Sequence, residues 1–230
     1  MMASRPRKAR RLVPSLLALA LLASATHAHA ADTRTPTEVI QETANALALR
    51  VSADRTQLEA NPTQLYTLVD EVLLPVFDTR YAGQLVLGRH GRAASKEQRD
   101  AFVDTYYDYL LRNYASSVLK FDKDKVEVFP PRPGDPNDPK RTVVRTSMLL
   151  DDGGTAAVDY SLRLTDDGWR IFDVRIDGIS YVQTYRSQFD SEISARGLDA
   201  VIERLRAETE RLGTAGREGT STSANPEPGA

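Results

Sequence analysis

The chain contains no cysteine and only three histidines among its 230 residues. Without cysteine it can form no disulfide bond, no thiolate metal site, no cysteine nucleophile and no lipid anchor through a thiol. Two of the histidines, His27 and His29, lie within the first thirty residues, so only His90 remains beyond them. Zinc sites and Ser-His or Cys-His catalytic systems therefore lack the side chains that they require.

Apolar runs long enough to cross a bilayer are also missing. The run from Leu12 to Ala23 is too short for a spanning helix, and Ala28-His29-Ala30 follows it as a small-residue cleavage site. The alternative, an N-terminal membrane anchor, would need a longer apolar core. Residues 1–30 are thus predicted to be a signal peptide that directs the chain to the periplasm. Its basic region consists of Arg5, Arg7, Lys8, Arg10 and Arg11.

Removal of this segment makes the chain acidic. It takes away five of the 30 basic residues and none of the 32 acidic ones, leaving 25 against 32, a net charge of −7. An acidic surface argues against nucleic-acid partners and against lasting adhesion to anionic membranes. We expect a monomer with one domain over residues 31–212. Residues 213–230 have no apolar period and are predicted to be a disordered tail.

Capping sequences mark the starts of helices. Each capping sequence has a capping side chain three residues before Glu or Gln, and the apolar residues that follow it have helical spacing. A further helix is predicted between Asp78 and Gly88, one after Ser180 ends at Gly197, and a last one runs from Leu198 to Leu212. The four capping pairs are Thr35 and Glu38, Asn61 and Gln64, Ser95 and Gln98, and Ser180 and Gln183.

Between the helices the apolar period changes to two, which is typical of strands. A strand at Val126 leads into the proline-rich loop 130–140, which is predicted to be irregular. Glycine-containing turns at 151–154 and 165–168 then connect three strands of an antiparallel meander. The predicted class is α+β, with helices packed on one face of a curved, cone-like sheet. An apolar cavity lies between the layers if their side chains do not fill it; a well-packed core is the alternative.

Few residues suggest catalysis. Asp173, Arg175 and Asp177 alternate along the last long strand, and Asp173 could serve as the base of a small isomerase or hydratase. We favour a solvated polar strand face for these residues. His90 lies in LGRHGR, which reads as a polar turn, and is expected at the surface. No catalytic residue, metal site or cofactor is predicted.

Three segments resemble the MlaC or toluene-tolerance family of periplasmic phospholipid carriers. They are LVLGR at 85–89 with ASKEQRDAF at 94–102, YASSVL at 114–119, and WRIFDVRIDGISYVQTYRSQF at 169–189. The order and spacing of the three carry the resemblance, which extends over about residues 35–212. The chain departs from the family at Gly91, where an aromatic residue usually precedes the arginine.

The resemblance implies a cone-like fold akin to the nuclear-transport-factor class and a non-enzymatic function. The expected function is phospholipid shuttling that maintains outer-membrane lipid asymmetry. The implied partners are an outer-membrane lipoprotein–porin complex and the lipid-binding subunit of an inner-membrane ABC transporter. A fully packed envelope adaptor is a further alternative. Apolar alternation and helical spacing select the predicted lipid-binding residues: Val144, Met148, Val158, Tyr160, Leu162, Phe172, Val174, Ile176, Leu110 and Val118.

Overall fold

A computed structural model of the chain describes residues 32–133, 138–150 and 153–217. The predicted signal peptide and residues 218–230 of the predicted tail lie outside these ranges. No helix in the described ranges has both the length and the apolar character needed to cross a membrane. The helices are α1 (Pro36–Ala60), α2 (Pro62–Leu73), α3 (Thr79–Leu87), α4 (His90–Ala93), α5 (Lys96–Tyr114), α6 (Tyr181–Arg196) and α7 (Leu198–Arg217). The strands are β1 (Val126–Val128), β2 (Arg132–Pro133), β3 (Arg141–Leu149), β4 (Thr155–Thr165), β5 (Gly168–Ile176) and β6 (Ile179–Ser180).

The helix starts follow the capping prediction. At α1 the Thr35 hydroxyl accepts a hydrogen bond from the Glu38 backbone N–H, and the Glu38 carboxylate accepts one from the Thr35 N–H. At α2, α5 and α6 the predicted cap side chain likewise accepts a hydrogen bond from the backbone N–H three residues later, and α5 also has the reciprocal bond, from the Ser95 N–H to the Gln98 side chain. Gly88 and Gly197, with φ of 51° and 84°, end α3 and α6 as predicted.

Two helix ends differ from the prediction. Helix α7 continues to Arg217, so the predicted start of the disordered tail at 213 is wrong for residues 213–217. Helix α5 ends at Tyr114 and is followed by a 3₁₀ segment, Ala115–Lys120, which contains Val118. Gly213 suggests a helix end after Leu212, yet α7 continues through it, and no glycine or proline marks the end of α5.

The sheet is antiparallel, with strand order β1-β3-β4-β5-β6, and β2 also pairs with β3. The predicted α+β class and the meander are confirmed. The strand predicted at Val126 is β1, and the sheet is larger than predicted because β2 and β6 are short additions at its two edges. Strand β2 falls within the loop 130–140 that was predicted to be irregular, so that prediction is wrong at residues 132–133.

A β-bulge interrupts the pairing of β4 with β5. Ser161 pairs with Asp173 while the next residue, Leu162, pairs with Ile171, which leaves Phe172 as the extra residue. The Ile171 carbonyl accepts a hydrogen bond of 2.7 Å from the Asp78 N–H, beside a parallel bridge between Phe77 and Ile171. The bulge therefore reverses the in–out alternation of β5 and ties the start of α3 to the sheet.

The buried apolar residues form three clusters. The first helical cluster joins α3, α5, α6 and α7 through Val86, Leu87, Phe102, Tyr106, Val182, Tyr185, Phe189, Ile193, Val201, Ile202 and Leu205. The second helical cluster joins α1, α2, α5 and the 3₁₀ segment through Leu47, Val51, Leu58, Leu65, Leu68, Val69, Leu111 and Ala115. The sheet cluster consists of Val39, Ile40, Val76, Val144, Leu162 and Ile171. Helix α1 contributes to two of them, so it connects the sheet with the helical layer.

The segment before α1 is held against the β4–β5 turn. Arg34 forms a hydrogen bond of 2.9 Å to the Asp32 carboxylate, and Arg170 lies 3.6 Å from it. A Cβ at Gly168 would lie 2.6 Å from the Asp32 carbonyl oxygen, so only glycine allows this approach. The hydrogen bond from Arg34 lowers the pKa of Asp32 from 3.8 to about 2.

We expect Asp32→Asn to destabilise the protein only where Asp32 is ionised. A lowered native pKa contributes stability that is complete above the ordinary pKa and is lost as the pH falls toward 2. Because the pair is partly exposed, the loss at pH 7 should be no more than about 1 kcal/mol. The difference in the free energy of unfolding between variant and wild type, measured with urea, should therefore be larger at pH 7 than at about pH 3. Glu59→Gln, at an exposed position of α1, is the control; an Asp32 effect that does not change with pH would contradict this explanation.

Candidate functional site

One face of the three long strands is apolar, and we call it the apolar sheet face. Cross-strand pairing places its residues in three rows. Val39 and Ile40 from the start of α1 and Val76 from the turn after α2 cover its centre, where Val144 and Leu162 have no exposed surface. The rows are Thr142–Leu162–Ile171, Val144–Tyr160–Val174 and Thr146–Val158–Ile176.

Around this buried centre lie apolar side chains that keep part of their surface exposed. Tyr160 is the most informative of them. Burial raises the pKa of its phenol, against the opposite effect of a hydrogen bond with Thr146, yet the residue is only partly shielded from solvent. Tyr160 thus lies in dense surroundings and still keeps accessible surface. The other partly buried side chains packed on the sheet cluster are Phe77, Val128, Trp169 and Val174.

Seven of the ten predicted lipid-binding residues share this face. Val144 and Leu162 belong to the sheet cluster, and Tyr160 and Val174 pack against it. The last three, Met148, Val158 and Ile176, share the face by register.

The other three predicted residues lie elsewhere. Phe172, at the bulge, makes an edge-to-face contact with the Tyr81 ring on α3, with ring centroids 5.4 Å apart. Leu110 packs against the first helical cluster and Val118 against the second. The helical wall of the site is supplied by α1 instead.

Sequence reasoning missed Ile171, Val39 and Val76. Strict alternation through Phe172 assigns Ile171 to the opposite face, and only the two adjacent apolar residues at 171–172 hint at a bulge. Val39 precedes Ile40 in α1, and helical spacing predicts only Ile40 on the apolar face of that helix. Val76 lies in a proline-containing 3₁₀ turn, where no period applies.

Asp173 has a structural role. It is buried, so the prediction of a solvated strand face is wrong at this residue. Its carboxylate accepts hydrogen bonds from the Ser180 hydroxyl at 2.7 Å and from the Val182 N–H at 3.1 Å, and Arg175 lies 3.7 Å away. A carboxylate that accepts hydrogen bonds from groups at the start of α6 stabilises the N-terminus of that helix. Both oxygens are engaged, which weakens the case for Asp173 as a general base.

His90 is not the exposed turn residue that the sequence suggests. It begins α4, its side chain is only 18% exposed, and its Nε2 lies 3.0 Å from the Asp190 carboxylate. Within the described ranges, no group of three or more His, Asp or Glu side chains could hold a metal ion. The three rows of the apolar sheet face contain no acid–base pair.

Comparisons with known proteins agree on one family. The family described as MlaC protein matches residues 41–207. The toluene tolerance protein ttg2D of Pseudomonas putida is 26% identical over 167 residues, which cover 72% of this chain and 76% of that protein. The intermembrane phospholipid transport system binding protein MlaC of Haemophilus influenzae is 24% identical over 174 residues, covering 74% of this chain and 80% of that protein.

A solved structure shares the fold. It is the phospholipid-binding protein from Ralstonia solanacearum in complex with a phospholipid. The similarity has a TM-score of 0.68 at 23% sequence identity and covers 78% of this chain and 99% of that one. At this identity the likeness establishes the fold.

Proposed function

The chain belongs to the MlaC protein family, and on this premise we propose that it is a soluble periplasmic carrier of phospholipid. Two relatives bear names of toluene tolerance and intermembrane phospholipid transport, and a protein of the same fold was solved with a phospholipid. The names of the Haemophilus influenzae relative and of the solved structure describe phospholipid transport and phospholipid binding. A carrier function requires an apolar site and a docking surface, and it needs no catalytic residue.

The observation that carries this proposal is the apolar sheet face. A phospholipid in water gains about 0.8 kcal/mol for each methylene group that is buried, so a chain of about sixteen carbons gains roughly 12 kcal/mol gross. Tyr160 and Val174, which are paired in one row and only partly buried, offer an apolar surface for such a chain. We expect the acyl chains to bind against this face beside Tyr160.

The rival functions have less support. An isomerase or hydratase would need Asp173 free to take up a proton, whereas its oxygens bind the start of α6. A packed envelope adaptor is supported only by the complete burial of Val144 and Leu162. The partial exposure of Tyr160 and Val174 favours the carrier.

The cellular role follows from the family. We propose that the chain is exported by its first thirty residues and moves phospholipid between an outer-membrane lipoprotein–porin complex and an inner-membrane ABC transporter. Transfer would depend on the difference in lipid affinity between the carrier and each partner. Such traffic would maintain the lipid asymmetry of the outer membrane.

Native mass spectrometry of the protein expressed from its full sequence tests these proposals together. We expect a chain that begins at Ala31, with a mass increased by one or more phospholipids that dissociate on activation. The same sample measured after denaturation gives the mass of the bare chain and is the control. A chain that still begins at Met1 would contradict export through residues 1–30. A native mass equal to the bare mass would contradict the carrier and favour the adaptor.

A further inference from the structure

The centre of the apolar sheet face is closed in this structure. Val144 and Leu162 have no exposed surface because Val39 and Ile40 of α1 and Val76 of the turn after α2 lie over them. An acyl chain can therefore reach this centre only if one of the two covering segments moves. The two segments are attached to the sheet in different ways, and the difference identifies the one that can move.

The turn that carries Val76 is fixed to the sheet by its backbone. Phe77 forms a parallel bridge with Ile171, and the Asp78 N–H donates a hydrogen bond of 2.7 Å to the Ile171 carbonyl. The Asp78 carboxylate also accepts a bond of 2.6 Å from Arg163 on β4. Movement of this turn would leave buried backbone groups unpaired, so this cover stays in place.

The start of α1 and the segment before it form a unit that is braced from within. Arg34 binds the Asp32 carboxylate at 2.9 Å and the Glu42 carboxylate at 3.2 Å. The capping box at the start of α1 lies in the same stretch of chain. These bonds remain within residues 32–42, so they can persist when the unit leaves the sheet.

Two features show that this unit is loosely held in its closed position. The Thr37 hydroxyl oxygen is buried and has no hydrogen-bond partner among the described residues, which penalises the closed position because water could bind it in the open one. None of residues 41–46 is buried, and the next buried residue after Ile40 is Leu47, which belongs to the second helical cluster. The part of α1 that can move thus ends before Leu47.

We propose that residues 32–46 are a lid that lifts from the apolar sheet face to admit an acyl chain, and that Asp32 latches it to Gly168 and Arg170. The inference rests on the proposed carrier function. The Asp32 carbonyl oxygen would lie 2.6 Å from a Cβ at Gly168, so the lid closes against bare backbone of the β4–β5 turn. Arg170 lies 3.6 Å from the Asp32 carboxylate. A chain that binds beneath the raised lid would hold it open.

The test combines backbone hydrogen exchange of the lipid-free protein with uptake of a pyrene-labelled phosphatidylcholine from phosphatidylcholine vesicles. Gly168→Ala should raise the exchange rates of residues 40–46 about tenfold, leave those of residues 47–53 unchanged, and speed lipid uptake. Arg170→Gln keeps the glycine and should produce a smaller increase at the same amides. Gly153→Ala is the matched control and should change neither measurement. Gly153 also has a positive φ, 85°, but an added Cβ there meets no described atom within 4 Å.

Three results would overturn the lid. Equal exchange rates at residues 40–46 and 47–53 in the wild type would show that α1 opens as a whole. Faster exchange in Gly168→Ala with wild-type uptake would show that the opening does not admit lipid. Uptake and exchange unchanged in both latch variants would show that Asp32 holds nothing closed; if Gly168→Ala does not fold, Arg170→Gln decides this point. A wild-type protein that takes up no phospholipid would instead contradict the carrier function, while its exchange rates would still report whether the segment opens.

Discussion

Val174→Glu should abolish the co-purification of phospholipid while leaving the protein folded. Val174 lies next to Tyr160 on the apolar sheet face and is only partly buried. A carboxylate placed there costs several kcal/mol against an acyl chain unless it is protonated or reaches water. Because Val174 keeps part of its surface exposed, the carboxylate can reach water in the lipid-free protein, so the cost falls on binding and not on folding. Lipid content should decrease at least about tenfold, since 1.4 kcal/mol already corresponds to that factor.

The measurement is lipid per protein by extraction and thin-layer chromatography, with circular dichroism and thermal unfolding to verify the fold. Leu49→Glu is the matched control because Leu49 is 70% exposed on α1 and the same substitution there removes no apolar contact of the site. Lipid content equal to wild type in a folded Val174→Glu protein would exclude the apolar sheet face as the binding site. Detergent sensitivity of cells that carry the variant tests the proposed envelope role.

Asp173→Ala should produce the largest loss of stability among the polar substitutions. It leaves the Ser180 hydroxyl and the Val182 N–H without their charged acceptor in a buried place. Hydrogen bonds to charged groups contribute about 1.5–3 kcal/mol each, so we expect a loss of about 2–3 kcal/mol. For a chain of this size such a loss lowers Tm by roughly 5–10 °C. Urea and thermal unfolding measure both quantities.

Asp173→Asn separates the structural role from a catalytic one. Asparagine keeps an oxygen that can accept the hydrogen bond from the Val182 N–H, so the loss of stability should be about half of that in Asp173→Ala or less. Lipid content should stay near that of wild type. Arg175→Gln should change stability by less than about 0.5 kcal/mol because Arg175 is exposed and 3.7 Å from the carboxylate. A wild-type Tm in Asp173→Ala would refute the helix-start role. Loss of cellular function in Asp173→Asn with lipid retained would support the isomerase or hydratase.

Local signals in the sequence predicted the elements well, because caps and turns depend on neighbouring residues. Ser180 and Gln183 define the start of α6 wherever that helix packs, and Gly168 permits the two-residue turn between β4 and β5. Alternation likewise identified most of the apolar sheet face. These features depend on backbone geometry within a few residues and can be inferred without knowledge of the fold.

Features that depend on distant partners were not predictable. The bulge at Phe172 accompanies a hydrogen bond between the Ile171 carbonyl and Asp78, which is more than ninety residues away in the chain. Helical spacing showed that Leu110 is buried but could not show against which layer. The burial of Asp173 depends on a helix whose cap, Ser180, lies seven residues later, and alternation along one strand contains no information about it.

The short strands at the sheet edges have a consequence for solubility. The outer edge of β3 is paired with β1 over residues 146–148 and with β2 over 142–143, and β5 is paired with β6 near one end and with Phe77 near the other. Free strand edges are templates for pairing with another molecule and so for aggregation. A carrier needs an apolar interior that can open, and each opening risks self-association. Occupied edges leave a second molecule little backbone to pair with, so we expect the edges of this sheet not to nucleate aggregation even when the apolar sheet face is uncovered.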